Sequence, residues 1–242
     1  MPLLLNSAVE ISPNIMSLIR LLLLNCLLLV TCTALAQEKP INFGFRAGAG
    51  IATLSRGVAQ DIGIAKKDKP VAGFSAGAYA SVTLGDFSLQ PAIYYIAKGA
   101  QTTEDVYSGD IGYRAYGKLH LSYLQVPLNF IYNIKINDGT YFIGGGPYVS
   151  AGLKASFKPL SIDGLDNIDN WPDTQYTFGN TGTDGFKRFE YGINMLAGYR
   201  FYNGLFFNGG FDLGLTNIRS QSYLYKSSKT RLAVISLGYQ LP

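Results

Sequence analysis

Between Arg188 and Thr216 the chain changes character at every second residue. Phe189, Tyr191, Ile193, Met195, Ala197, Tyr199 and Phe201 fall on one face. Arg188, Glu190, Gly192, Asn194, Gly198 and Arg200 fall on the other, with Leu196 as the exception. After Tyr202-Asn203-Gly204 the alternation resumes: Leu205, Phe207, Phe211, Leu213 and Leu215 against Asn208, Gly210, Asp212, Gly214 and Thr216. A period of two sustained this long specifies two long β-strands joined as a hairpin.

The hairpin also fixes its own register. A two-residue Asn-Gly turn would set Tyr202 opposite Leu205 and put apolar residues beside the polar row. A three-residue loop, Tyr202 to Gly204, sets Phe201 opposite Leu205 and keeps the faces matched. Gly204 then takes the left-handed position, which costs glycine least. This register predicts Met195 beside Phe211, Ile193 beside Leu213, Leu196 beside Gly210 and Asn194 beside Asp212. Large against small on the second face predicts a narrow, filled space.

The same alternation recurs along the chain. Strands are expected at about 41–55, 71–84, 87–98, 119–134, 140–154, the two hairpin strands, and 230–241. Polar loops are expected at 56–69, 99–118, 155–184 and 217–229. Short turns are expected at Gly85-Asp86, Lys135 to Gly139 and Tyr202 to Gly204. Eight strands with alternating long and short connections describe an all-β, antiparallel, up-and-down, closed transmembrane β-barrel. Each strand supplies the roughly 9–11 residues a membrane crossing needs. The last strand closes onto the first, which removes edges that lipid does not tolerate.

Composition agrees with this class. Charged residues are 15% of the chain, against roughly 25% for a soluble domain, and 28 Gly, 17 Tyr and 14 Phe replace Leu-rich helices. In lipid the aromatic and aliphatic face must look outward. Gly, Ser, Asn and a few charges then fill an interior only wide enough for side chains. Arg46, Lys98, Lys154, Arg188, Arg200 and Arg231 are expected inside, with Glu190 and Asp212 as counter-charges, and no open channel. A soluble lipocalin-like barrel would bury the apolar face and leave these charges without a place.

Residues 16–37 read as a secretory signal: Arg20, an apolar run from Leu21 to Val30, and Ala34-Leu35-Ala36 as the cleavage site. Residues 1–36 are therefore expected to be removed, with Met16 as the favoured start because Glu10 fits poorly ahead of an apolar run. Leu29-Val30-Thr31-Cys32 offers lipidation as a minor alternative. Residues 37–242 form the barrel domain. Both cysteines, Cys26 and Cys32, lie in the signal, so the mature chain has no disulfide framework. Loss of Arg20 and Glu10 leaves the net charge at +4, too mild to argue for nucleic acid.

Catalytic and ligand chemistry is sparse. His120 is the one histidine and both cysteines lie in the signal, which together exclude zinc sites of the His/Cys type and cysteine nucleophiles from the mature chain. His120 and Ser122 share the parity of Leu124 and Val126, an arrangement suited to acyl hydrolysis at a lipid-facing rim. No acid is evident to orient the imidazole, and a rim histidine beside a common serine is the favoured reading. Asp163, Asp166 and Asp169 do not match the calcium-loop spacing, so a solvated loop is expected there. Gly144-Gly145-Gly146 lies in a strand and carries no phosphate-binding signal. No cofactor and no metal are expected.

LQPAIYYIAKGA (residues 89–100), YLQVPLNFIY (123–132), FIGGGPYVSAGL (142–153), FEYGINMLAGY (189–199) and DLGLTNI (212–218) together resemble the PorT-like outer-membrane β-barrel family of Bacteroidetes. The likeness runs through most of residues 39–242. The chain departs from the family pattern at Ala92 and Gln125, where acidic residues are common, and at its last residues, which lack the usual terminal Phe. The resemblance implies an outer-membrane location. Its founding member is linked to protein secretion, and most relatives have no known task. The expected function is a monomeric, non-enzymatic scaffold or interaction surface that contacts outer-membrane lipid and other envelope proteins through its outer loops. The rivals are an accessory barrel of a secretion system and a lipid A deacylase using His120 and Ser122.

Overall fold

Alternating residues force the strands, and the strands close on themselves. The computed structural model describes residues 41–58, 68–108, 111–162, 165–166, 173–179, 185–220 and 225–242. The signal segment lies outside the described residues. In chain order the long strands are β1 (Ile41–Val58), β2 (Val71–Leu84), β3 (Phe87–Ser108), β4 (Ile111–Ile136) and β5 (Gly139–Ile162). Four short strands follow: β6 (Leu165–Asp166), β7 (Thr174–Tyr176), β8 (Phe178–Gly179) and β9 (Phe186–Lys187). The last three are long again: β10 (Phe189–Phe201), β11 (Leu205–Gly214) and β12 (Tyr225–Gln240). Each long strand pairs antiparallel with the next, β12 pairs with β1, and β5 pairs with β10 across the short strands. The result is a closed, up-and-down ring of eight strands.

The hairpin register is the one the alternation specifies. Met195 pairs with Phe211, Ile193 with Leu213, Leu196 with Gly210 and Asn194 with Asp212. Gly204 sits at φ +87°, in the region where a side chain would be strained. Its amide donates to the Phe201 carbonyl at 3.1 Å, closing the three-residue loop.

The barrel is inside out relative to a soluble protein. Phe43, Phe45, Ile51, Val126, Phe130, Ile143, Tyr191, Met195 and Leu237 are all exposed on the outer wall. The soluble-barrel alternative fails on this distribution, because water would meet a continuous apolar surface. At the end with the short turns the outward aromatics touch one another. Phe87 and Tyr132 rings stand 5.1 Å apart, Tyr141 and Tyr199 4.8 Å, and Tyr199 and Phe201 4.9 Å. This is the aromatic girdle of a membrane interface.

Inside, large residues face glycines across the strand pairs. Tyr79 pairs with Gly44, Tyr148 with Gly192, Phe142 with Gly198 and Phe206 with Gly238. A Cβ on Gly44 would come 2.4 Å from the Tyr79 ring, and one on Gly192 2.3 Å from the Tyr148 ring. Each ring lies across the partner strand's bare backbone, and such packing fills the bore. A cavity among Arg46, Tyr79, Gln90, Phe142, Leu196, Arg200 and Phe206 measures about 10 Å³, too small for more than about one water.

Two loop expectations are corrected. Residues 99–108 and 111–118 form the upper halves of β3 and β4, paired through to Ser108 and Ile111. Residues 155–162 likewise continue β5 against β4. These segments carry polar and charged residues because they stand above the apolar band. Backbone pairing continues there without the apolar alternation that marks a strand in lipid. The 155–184 segment is not only a solvated loop: β7 pairs with β5, and Phe178 packs over the barrel mouth.

Candidate functional site

The interior holds a layered polar network. Uppermost is an ion pair: Lys98 Nζ lies 2.6 Å from Glu190 Oε1, with both side chains wholly removed from solvent. The same carboxylate oxygen accepts from the Tyr148 hydroxyl at 2.8 Å and from Thr230 Oγ1 at 2.7 Å. The Lys98 ammonium also stands 4.7 Å from the Tyr123 ring centroid and 5.6 Å from that of Tyr148. A buried charge survives only with such compensation. β3, β5, β10 and β12 each contribute a residue, so the ion pair ties opposite walls of the ring together.

Another layer centres on Asp212. Gln125 Nε2 donates to Asp212 Oδ2 at 3.0 Å, and Ser150 Oγ donates to Gln125 Oε1 at 3.0 Å. Sequence reading treated Gln125 only as the loss of an acid. The structure gives it a role as the link between Asp212 and β5. Its inward parity was the signal that could have revealed this.

Arg46 and Arg200 are half-buried toward the short-turn end. The Arg46 guanidinium stacks 4.4 Å from the Tyr94 ring centroid. Arg200 donates to Gln240 Oε1, which also receives the Tyr79 hydroxyl at 3.4 Å.

The other cations expected inside are exposed. Lys154 is turned out by a β-bulge: Tyr123 pairs with Gly152 and Ser122 with Lys154, leaving Leu153 unpaired and reversing the parity of β5 above it. Arg188 lies at a bend between β9 and β10: its carbonyl still accepts from the Gly152 amide at 2.7 Å, but its side chain is exposed and its Nη2 donates to the Phe178 carbonyl at 3.2 Å. Arg231 shares the parity of the exposed Ile235 and Leu237. It reaches along the outer rim to Ser55 Oγ at 3.3 Å.

Above the ion pair the bore is capped by aromatic side chains. Phe178 lies edge-on to Tyr123 at 5.6 Å, Phe186 contacts both Tyr176 and Phe178, and the Arg219 guanidinium covers Phe186 at 5.0 Å. Phe186 and Ile218 are buried here. Sequence reading gave these residues no role, because their spacing matches no strand.

On the outer wall His120 is exposed and Ser122 half-buried. The Tyr95 hydroxyl donates to Ser122 Oγ at 2.9 Å. No hydrogen bond joins His120 to Ser122, and no carboxylate lies within ion-pair distance of His120, among the described residues. No group of three metal-ligating side chains occurs among the described residues. Asp163, Asp169, Trp171 and Asp184 of the acidic segment lie outside them, as does the side chain of Asp166.

No curated protein matches the chain. Among solved structures, Neisserial surface protein A shares 12% identity over 81% of this chain and 96% of its own, with a TM-score of 0.42. OprG of Pseudomonas aeruginosa shares 12% over 82% and 95%, with a TM-score of 0.40. Ail of Yersinia pestis shares 14% over 83% and 99%, with a TM-score of 0.39. Residues 35–220 match the family described as outer membrane protein beta-barrel domain. That match covers most of the chain and agrees with the closed, inside-out ring: the chain belongs to the outer membrane protein beta-barrel domain family, and its place is the outer membrane.

Proposed function

We propose that this barrel is a monomeric, non-enzymatic scaffold of the outer membrane that meets other envelope proteins through its outer end, and that it belongs with the PorT-like barrels of Bacteroidetes. The carrying observation is the contrast between its two ends. Toward the short turns the strands finish together, whereas β3, β4 and β5 run on as a paired sheet through Ser108, Ile111 and Ile162. Long connections mark the outer side of such barrels, so this sheet stands on the cell exterior. The Lys98–Glu190 network and the aromatic cap leave the bore without a conduit, which favours a surface role over transport. Within the eight-strand ring every strand has two neighbours, so the ring itself offers no free edge to a second copy. Export proceeds through a signal removed after Ala36.

Excision of residues 103–116 tests the scaffold reading. The shortened chain is expected to keep heat-modifiable gel migration and to lose envelope proteins that cross-link to the intact barrel in cells. Unchanged cross-linked partners would overturn it. An accessory role in secretion predicts that those partners belong to an export machine.

A further inference from the structure

The outer wall changes character at Ser122. Toward the aromatic girdle the outward residues of β4 are Leu124, Val126, Leu128 and Phe130, all exposed. Away from it they are Ser122, His120 and Lys118. Their partners on β5 are Lys154, Ser156 and Lys158 respectively, with the bulge beside Ser122 turning Lys154 outward. On the other side Lys118 pairs with Gln101 of β3. Gln101 in turn bridges Lys69 through two backbone hydrogen bonds of 3.0 and 2.9 Å. Lys69, Gln101, Lys118 and Lys158 thus form one row across neighbouring strands, with Lys154 lower on the same wall. All four lysines are exposed.

Like charges directly opposite on a sheet repel, and Lys118 and Lys158 are such a pair. No carboxylate lies within ion-pair distance of the four lysines among the described residues. Asp173 flanks this surface, next to the Thr174 that pairs with Phe157, and makes no ion pair with them. Asp68 precedes Lys69 and is half-buried.

The height of the row identifies what neutralises it. Ten residues of β4 separate Tyr132 in the girdle from Ser122. With a rise of about 3.3 Å and a tilt of about 40°, they span roughly 25 Å, the height of an outer-membrane apolar band. The lysines therefore begin where acyl chains give way to headgroups, and their stems can lie along apolar surface while the ammonium groups meet anions. A phosphate monoester carries about −1.5 to −2 charges, which suits several lysines better than a singly charged diester.

We propose that Lys69, Lys118, Lys154 and Lys158 form a binding edge for the phosphate of a phosphorylated outer-leaflet glycolipid. Lys118 and Lys158 grip one phosphate, and Ser122, Ser156 and His120 supply polar neighbours below it. The proposal rests on the reading that the extended end of the barrel faces outward.

The full chain, refolded in detergent, is mixed with acylated, bisphosphorylated glucosamine-disaccharide lipid, with the same lipid stripped of phosphate, and with phosphatidylglycerol. Retention is read by native mass spectrometry. The phosphorylated glycolipid is expected to be retained at least tenfold more than its phosphate-free form and more than phosphatidylglycerol. The K69Q/K118Q/K154Q/K158Q variant is expected to lose at least tenfold of that retention. The matching fourfold Arg variant, and K135Q at the opposite end, are expected to keep it. Should the fourfold Gln variant not refold, K118Q and K158Q singly decide, each with an expected loss of at least threefold. Unchanged retention in the Gln variants, or equal retention of the phosphate-free lipid, would overturn the proposal. Equal retention of phosphatidylglycerol would overturn its assignment to a glycolipid. Surface labelling of K187C, an exposed position beside the aromatic cap and outside the lysine row, reads the orientation separately in intact cells, so failure there is distinguishable from failure of the lysines.

Discussion

Glu190 and Lys98 meet at 2.6 Å inside the barrel, from strands on different parts of the ring, with neither side chain reaching solvent. Removing one partner leaves a buried charge alone, which costs about 3–5 kcal/mol. Lys98→Met is therefore expected to lower the urea midpoint of the refolded barrel strongly. Adding Glu190→Leu is expected to recover much of the loss, because a well-packed apolar pair no longer holds an uncompensated charge. If the single and double variants are equally unstable, the ion pair is not the source of the effect.

The glycine–aromatic pairs give an internal comparison. Gly192→Ala drives a Cβ toward Tyr148, whose hydroxyl is held by Glu190 and cannot easily retreat. A cost of about 1–3 kcal/mol is expected from overpacking. Gly209→Ala meets nothing within 4 Å and is expected to stay within about 0.5 kcal/mol of the parent. Thermal shifts of the two variants in one detergent check both figures.

Side-chain direction can be read chemically. A cysteine at Lys154, turned out by the bulge, is expected to react with a water-soluble maleimide on the folded barrel, and one at Lys98 is expected to react only after unfolding. Fast labelling at residue 98 would contradict the sealed bore.

His120 and Ser122 make no hydrogen bond to each other, and Ser122 Oγ accepts one from the Tyr95 hydroxyl instead. Alanine at either position is expected to leave the acylation pattern of lipid A unchanged by mass spectrometry. Loss of a deacylated species in His120→Ala would restore the hydrolase reading.

The ring and its hairpin register were legible because lipid imposes alternation from Phe189 to Gly214, with Leu196 and Phe206 as inward exceptions, and because Gly204 permits only one loop that keeps the faces matched. Alternation stops being informative where the lipid stops. β3 and β4 continue above Lys98 and Leu119 through residues of mixed polarity, so pairing there reads as loop. Parity also fails beyond a bulge, which is why Lys154 was expected inside. Arg231 is different: its parity with Ala233 and Ile235 already pointed outward, and its charge was given more weight than its position. The cap residues Phe178 and Phe186 follow neither period, and only the tertiary fold brings them to Tyr123 and Arg219.

Everything above depends on a closed barrel embedded in the outer membrane. Gel migration of the protein extracted from purified outer membranes, with and without boiling, tests it most directly. A closed barrel is expected to give a fast band in the unheated sample that moves to the full-length position after heating. A single heat-insensitive band from the soluble periplasmic fraction would contradict it, and with it every assignment of a residue to the lipid-facing wall.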